Sequence, residues 1–288
     1  MHAFADFNPF LQLIYFASAA GIVMFSRNPV IAAAAFSASL AVRIAKRRGG
    51  TALSAAIVIA SAVINALFSH NGKTVLFFMN DTPVTLEALL YGASAGAAIA
   101  AVLNISRTFA EVMTSDRLLY IFGRLSPKTA LMLSMTLRYI PLLSRRTREV
   151  REAQAVMGGH GDGSLPDRIR GGARVFSIML TWALENGVTT ADSMTARGFG
   201  VARRTYFSPF RFRRADVPVL AAMLALAALT AAPAASGALD FGFYPSLSAI
   251  PASAAALTAY AAYSALILIP LAADTVEVIK WNCLKSKI

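Results

Sequence analysis

The chain has 288 residues, of which 57% are hydrophobic and only 15% charged, and its net charge is +12. Soluble domains hold about 25% charged residues, so this balance, with a mean hydropathy of +0.58, excludes an ordinary soluble protein and reads as a membrane protein. A single cysteine, Cys283, excludes an internal disulfide and any cysteine-based metal cluster.

The start, Ala5-Asp6-Phe7-Asn8, has no basic n-region, so no cleavable signal peptide is expected and the first apolar run is kept. That run, Phe10 to Phe25, is followed after Ser26-Arg27-Asn28-Pro29 by a second, Val30 to Ile44, and the two read as a tight helical hairpin. Both are short for a crossing of about 17 residues or more, so burial among other helices or local thinning must complete it. The basic run Arg43, Lys46, Arg47, Arg48 then faces the cytosol under the positive-inside rule.

Thr51 to Phe68 and Thr85 to Leu103 are the next two spans, and the apolar patch between them, Val75 to Met79, is too short to cross and reads as a dipping or interfacial loop. The fourth span is rich in small residues from Gly92 to Ala98, which lets helix backbones approach closely in lipid. Glu87 is expected at its outer, interfacial end.

Residues 105–216 differ in character, holding 18 of the 27 Lys/Arg and 9 of the 15 Asp/Glu. Ser115 is placed to cap a short helix, Asp116 to Phe122, and Ser126-Pro127 is a strong start signal for a helix that runs to about Met157 and stops at Gly158-Gly159. Pro141 is expected to kink it. Past Leu143 it becomes amphipathic, with Val150, Ala153 and Met157 on one side and the i,i+4 pairs Arg145–Glu149 and Arg148–Glu152 on a solvated face. A glycine-rich turn, His160 to Pro166, leads to a second long helix with an apolar stripe at Ile169, Ala173, Phe176, Leu180, Ala183, Gly187, Ala191 and Met194. Such a stripe implies a helix lying against another helix or the underside of the membrane. It ends at Ala196-Arg197-Gly198, where a cation followed by glycine also suits a plain helix C-cap.

The basic run Arg203 to Arg214 precedes a fifth span, Val217 to Ala235, and a sixth, Ala249 to Ala273, is followed by Lys280, Lys285 and Lys287. The expected fold is an all-α polytopic membrane protein with about six transmembrane helices: spans 1–4 in residues 1–104, a cytosolic block of long amphipathic helices in 105–216, and two spans with a tail in 217–288. Both termini face the cytosol, and the external segments hold only Arg27 and Lys73 among the basic residues. The positive-inside bias accounts for the basic excess, so nucleic acid is not expected as a partner.

Legible catalytic chemistry is absent. Asn71-Gly72-Lys73-Thr74 looks like the end of a phosphate-binding loop, but Leu67 stands where that motif needs glycine. His2, His70 and His160 have no ligand spacing, and no metal site is expected. The few polar residues in the spans, Asn65, Asn104 and Glu87, are a poor match to an ion-coupled carrier.

Several segments together resemble a known family. They are Thr85 to Gly92, Val112 to Arg117, Leu137-Arg138-Tyr139-Ile140-Pro141-Leu142-Leu143, Glu152-Ala153-Gln154, Thr181-Trp182-Ala183-Leu184-Glu185-Asn186 and Ala191 to Phe199. As a set, they are similar to the transmembrane T component of energy-coupling factor (ECF) transporters of the EcfT/CbiQ type. The resemblance implies a non-catalytic scaffold in a prokaryotic cell membrane. Such a scaffold links two ATP-binding cassette ATPase subunits to a small substrate-binding membrane subunit, the S component, for import of a vitamin, another micronutrient or a metal ion. It also implies no cofactor on this chain, with ATP and Mg on the ATPases, and a docking motif at Ala196, Arg197 and Gly198. The second expected motif stands here as Val156, Met157 and Gly158, in which only the glycine fits the pattern; the contact there is either apolar, through Met157, or draws its charge from Arg151 or another arginine nearby. This asymmetry suits a heterodimeric ATPase pair. The alternative is a pore-forming permease domain of another ATP-driven transporter.

Overall fold

The computed structural model describes residues 7–45, 49–69, 71–79, 82–157, 165–201, 210, 212, 214 and 216–285. Its elements in chain order are α1 (Pro9–Phe25), α2 (Pro29–Ala45), α3 (Thr51–Phe68), β1 (Val75–Met79), β2 (Thr82–Thr85), α4 (Leu86–Val112), α5 (Ser115–Leu125), α6 (Pro127–Val156), α7 (Leu165–Ala196), α8 (Asp216–Ala235) and α9 (Ala254–Lys285). They form two compact units, one of Met1–Thr114 with Phe210–Ile288 and one of Ser115–Pro209.

The first unit is a bundle of six apolar helices. Four of them, α3, α4, α8 and α9, are long and apolar enough to cross a membrane, whereas α1 and α2 have 17 residues each. At 1.5 Å per residue those two reach about 26 Å, just short of a hydrocarbon core of about 30 Å. Their shortness goes with burial. Tyr15, Phe16, Ile31 and Ala35 of this pair pack with Met223, Tyr263 and Leu266 to form the core. The two helices are consecutive, yet each packs chiefly on others, α1 on α4 and α8 and α2 on α4 and α9, so the tight hairpin expected between them is an open one.

Asn28 shows why the chain turns where it does. Its Oδ1 accepts from Val30 N at 2.9 Å, capping α2, while its Nδ2 donates to the Leu239 carbonyl at 3.0 Å and the Tyr260 hydroxyl at 2.7 Å. One buried side chain thus starts a helix and ties the α1–α2 corner to the α8–α9 connection. Ser69 with Tyr244 and Tyr91 with Phe243 belong to this same end of the bundle. In the middle of α9, Pro270 cannot donate to the Leu266 carbonyl, and the Tyr15 hydroxyl donates to the adjacent Ile267 carbonyl at 3.1 Å.

The small residues of α4 meet α3 backbone to backbone. A Cβ on Gly92 would stand 2.7 Å from the Ser61 carbonyl oxygen and 2.9 Å from Ala62 Cα, and one on Gly96 would stand 2.9 Å from Val58 Cα. Hydrogen atoms alone fit there, as at other small-xxx-small contacts in lipid. Asn65 donates to the Ala88 carbonyl at 2.6 Å, and Asn104 meets Ser54 Oγ at 2.9 Å, so two of the three polar residues in the spans tie α3 to α4.

Two sequence expectations are corrected here. The patch Val75 to Met79 is not a loop but strand β1, paired antiparallel with β2 and irregular between Val75 and Phe77. A two-stranded hairpin is marginal alone, and this one is anchored. Glu87, buried, accepts from Thr74 N at 3.1 Å and from Thr74 Oγ1 at 2.8 Å, while Leu86 N donates to the Thr74 carbonyl at 3.0 Å. Glu87, in the first turn of α4 at the span end where it was expected, is therefore a structural anchor for the hairpin. The second correction concerns span ends: α4 continues nine residues beyond Leu103 to Val112, and α9 starts at Ala254 and runs on to Lys285.

Gly72 packs directly on that anchor, since a Cβ there would meet Glu87 Oε2 at 2.6 Å and Thr85 Oγ1 at 2.7 Å. Gly72→Val is expected to cost about 1–3 kcal/mol through overpacking, read as a lower melting temperature in detergent and faster proteolysis within residues 71–79. Unchanged melting would show that the hairpin is not seated on α4.

A candidate docking site on the long helix pair

The second unit is built on α6 and α7. Ser126 is the N-cap of α6, with Pro127 in the first turn, and Asp167 lies in the first turn of α7, where a carboxylate suits the helix dipole. The helices run antiparallel. Tyr139 and Thr190 share a hydrogen bond of 2.8 Å, the Arg146 guanidinium lies 5.9 Å from the Trp182 ring centroid, and Arg174 Nη1 donates to Gln154 Oε1 at 3.4 Å. Each step forward along α6 is matched by an equal step back along α7. The register places Met157 beside the start of α7, so Arg197 stands at the other end of the pair, roughly 40 Å away at 1.5 Å per residue.

Of the two places open to the apolar stripe of α7, against another helix or under the membrane, the contact with α6 is not the one it fills. Val175, Met179, Trp182, Asn186 and Thr190 are turned toward the interior, with Met179 buried, and Ala183 and Met194 of the stripe are half-buried beside them. The apolar stripe read from the sequence is largely exposed: Ile169, Phe176 and Leu180 are 71%, 68% and 50% accessible. Periodicity finds the most hydrophobic face, whereas the intramolecular contact is made by a mixed face of one aromatic ring, a thioether and hydrogen-bonding groups. Trp182 and Asn186 were legible as signals in the segment Thr181 to Asn186, but nothing in the spacing said that they face α6.

Along α6, Arg148 pairs with Glu152 at 2.9 Å, which holds the Arg148 guanidinium still more firmly protonated. Glu149 pairs with Arg146 at 2.6 Å in an i,i+3 contact and not with Arg145 as expected. These pairs are solvent-exposed. Pro141 lies inside the continuous helix and leaves the Leu137 carbonyl without its helical donor.

The end of α7 has a defined hydrogen-bond pattern. Phe199 N donates to the Met194 carbonyl at 3.0 Å and Gly198 N to the Thr195 carbonyl at 2.9 Å, with Gly198 at φ +79°. These six-to-one and five-to-two bonds around a left-handed glycine make a Schellman cap, in which Arg197 is the C-cap residue. Its side chain is exposed and makes no hydrogen bond or ion pair among the described residues. The cap spends the last carbonyls of α7 on the backbone and leaves the guanidinium free to meet something else. Gly198→Ala puts a Cβ at positive φ, costing about 1–2 kcal/mol. Amide exchange at residues 198 and 199 should therefore rise roughly 5- to 30-fold, and unchanged protection would show that the cap does not depend on glycine.

At the end of α6 the middle residue is also the C-cap: Met157 N donates to the Ala153 carbonyl at 3.1 Å. Val156 and Met157 are 89% and 71% accessible, while Gly158, the third member of this second motif, lies outside the described residues. Arg151, expected as a source of charge, is exposed one and a half turns earlier; Arg174, from α7, is the arginine bonded beside this end. The two helix ends thus share a cap position and differ in chemistry, one cationic and one apolar. Among the described residues there is no group of His, Cys, Asp or Glu that could hold a metal ion. His2, His70 and His160 lie outside the described residues.

The family model for CbiQ, cobalt transport protein, matches residues 5–207, which include both helix ends. Over 184 residues the chain is 27% identical to the energy-coupling factor transporter transmembrane protein EcfT of Bacillus selenitireducens, a match that covers 60% of this chain and 69% of that protein. With helices apolar enough to cross a membrane and a family match over more than half its length, the chain belongs to the CbiQ cobalt transport protein family, as an EcfT/CbiQ-type transmembrane component.

Proposed function

We propose that the chain is the energy-coupling scaffold of an ATP-driven ECF-type importer. Two cytosolic ATP-binding cassette subunits dock on the ends of α6 and α7, and a small membrane S component carries the substrate, which is a vitamin, another micronutrient or a metal ion. ATP and Mg bind to the ATPases, and this chain performs no catalysis. The turn after α2, the long helix pair and the tail after α9 face the cytosol, as the charge bias requires.

One observation supports this reading above the others: the two candidate docking ends cap opposite ends of an antiparallel helix pair, roughly 40 Å apart, with Arg197 exposed on one. A pair of ATPase subunits that close and open around ATP needs two points at which to push, and a stiff pair of helices offers both. Arg197 meets an acidic groove through planar, bidentate hydrogen bonds, which a lysine reproduces poorly. Val156 and Met157 fill an apolar groove, where the flexible thioether adapts to its walls.

Affinity purification of the tagged chain in mild detergent tests the proposal. Two ATP-binding subunits and a small apolar membrane protein should travel with it. Recovery of the chain alone, or ATP-driven uptake by the chain and an ATPase without a third membrane subunit, would refute it, and the second result would favour a pore-forming permease.

A further inference from the structure

At the end of the first unit away from Asn28, Gly49 and Gly50 lead into α3. Gly50, at φ +99°, is the N-cap of α3, and no side chain caps that helix. The first amides of an 18-residue helix therefore present their partial positive charge at this turn. Two guanidinium groups converge on the same place. Arg43, in the last turn of α2 and 5% accessible, lays Nη2 on the Gly49 carbonyl. Arg107 comes across from α4. A Cβ on Gly50 would stand 3.0 Å from Arg107 Nη1 and 3.2 Å from Arg43 Nη2.

Like charges brought together at the edge of an apolar bundle repel, and the repulsion is larger than it would be in water. Arg107 is half-buried, yet its guanidinium makes no hydrogen bond or ion pair among the described residues. One turn before it on α4, Asn104 rests against Ser54 in the first turns of α3, and its Nδ2, buried, has no partner. A buried amide donor left unmet costs about 1–3 kcal/mol. Two converging cations and an uncapped helix start call for an anion of several acceptor oxygens.

The position says which anion. The turn lies where two apolar helices end and begin, and Ile44 and Leu53 on either side of it are 59% and 49% accessible. A soluble ion has no use for an apolar flank, whereas a lipid lays an acyl chain along it. Basic pockets between membrane helices at headgroup level take anionic lipids in this way. We propose that the Gly50 turn binds the phosphate of an anionic phospholipid, held by Arg43 and Arg107 at the start of α3.

The test uses the full chain in nanodiscs of phosphatidylcholine, with and without phosphatidylglycerol. Phosphatidylglycerol should raise the melting temperature of the unaltered chain by roughly 2–4 °C. Arg107→Gln should melt no lower than the unaltered chain in phosphatidylcholine alone, because Arg107 has no hydrogen bond or ion pair to lose among the described residues and its removal relieves the repulsion with Arg43, and should forfeit most of the gain. Arg107→Lys, which keeps the charge without the planar fork, should keep part of it, and Lys128→Gln, an exposed cation elsewhere, should keep all of it. Native mass spectrometry should show phosphatidylglycerol retained by the unaltered chain and lost from Arg107→Gln. An undiminished gain in Arg107→Gln would overturn the site, as would an equal loss in Lys128→Gln. The same gain from inorganic phosphate in neutral nanodiscs would overturn the lipid as its occupant.

Discussion

Arg197→Glu is expected to release an ATP-binding subunit from the purified assembly and bring substrate uptake to background, while the chain still inserts and melts normally. The normal folding follows from the structure, because the Arg197 side chain is exposed and makes no hydrogen bond or ion pair among the described residues, and the Schellman cap beneath it is made by backbone groups and Gly198. Loss of association follows from the proposed docking. A buried, bidentate guanidinium–carboxylate pair loses about 2–5 kcal/mol when one partner is removed, and charge reversal adds repulsion, so affinity should fall at least about 30-fold. Arg197→Lys should fall between, since the point charge remains and the planar fork does not. Retention of both ATPase subunits together with undiminished uptake in Arg197→Glu would remove the docking assignment altogether.

Gly96→Leu is expected to be the most damaging single change within the membrane-spanning unit. Its Cβ would fall 2.8 Å from Ser61 Cβ and 2.9 Å from Val58 Cα, and the second of these belongs to a helix backbone that cannot rotate aside. Overpacking costs about 1–3 kcal/mol where side chains can adjust; here two whole helices must separate, so about 3 kcal/mol or more is expected, with little folded protein recovered from membranes. Gly21→Leu in α1 is the matched control, because a Cβ there meets nothing within 4 Å. Equal yield and equal melting of the two variants would show that α3 and α4 do not depend on the close contact. The three glycine positions tested, 72, 96 and 198, are required for different reasons: the first two by a neighbour's proximity, the last by its backbone angle.

Much of the site was readable along the chain. Ser126-Pro127 and Ala196-Arg197-Gly198 carry their own start and stop chemistry, so the bounds of α6 and α7 fell within a residue or two of the structure. Cap signals are local, and local signals survive in sequence. Pairing partners are not local. Glu149 has Arg145 and Arg146 at equally acceptable spacings, and only rotamers and the place of Arg146 over Trp182 select the second. The hairpin at residues 75–85 was missed for a similar reason. A five-residue apolar run between two spans suits a membrane loop as well as a strand, and what makes it a strand is Glu87, thirteen residues beyond Thr74, fixing Thr74.

The sequence by itself determined the solvent, the six apolar helices, the two long helices between the fourth and fifth of them, and the helix end at which Arg197 stands. Each of these depends on composition, on apolar run length or on residues within one turn of each other. Only the tertiary structure decided which face of α7 meets α6, that the two helix ends lie at opposite ends of the pair, that Glu87 anchors a hairpin, and that Arg43 and Arg107 converge on Gly50. Those facts join residues on different elements, up to more than fifty positions apart, and closing such distances takes packing, hydrogen-bond geometry and charge summed over the whole unit, which no window of sequence contains.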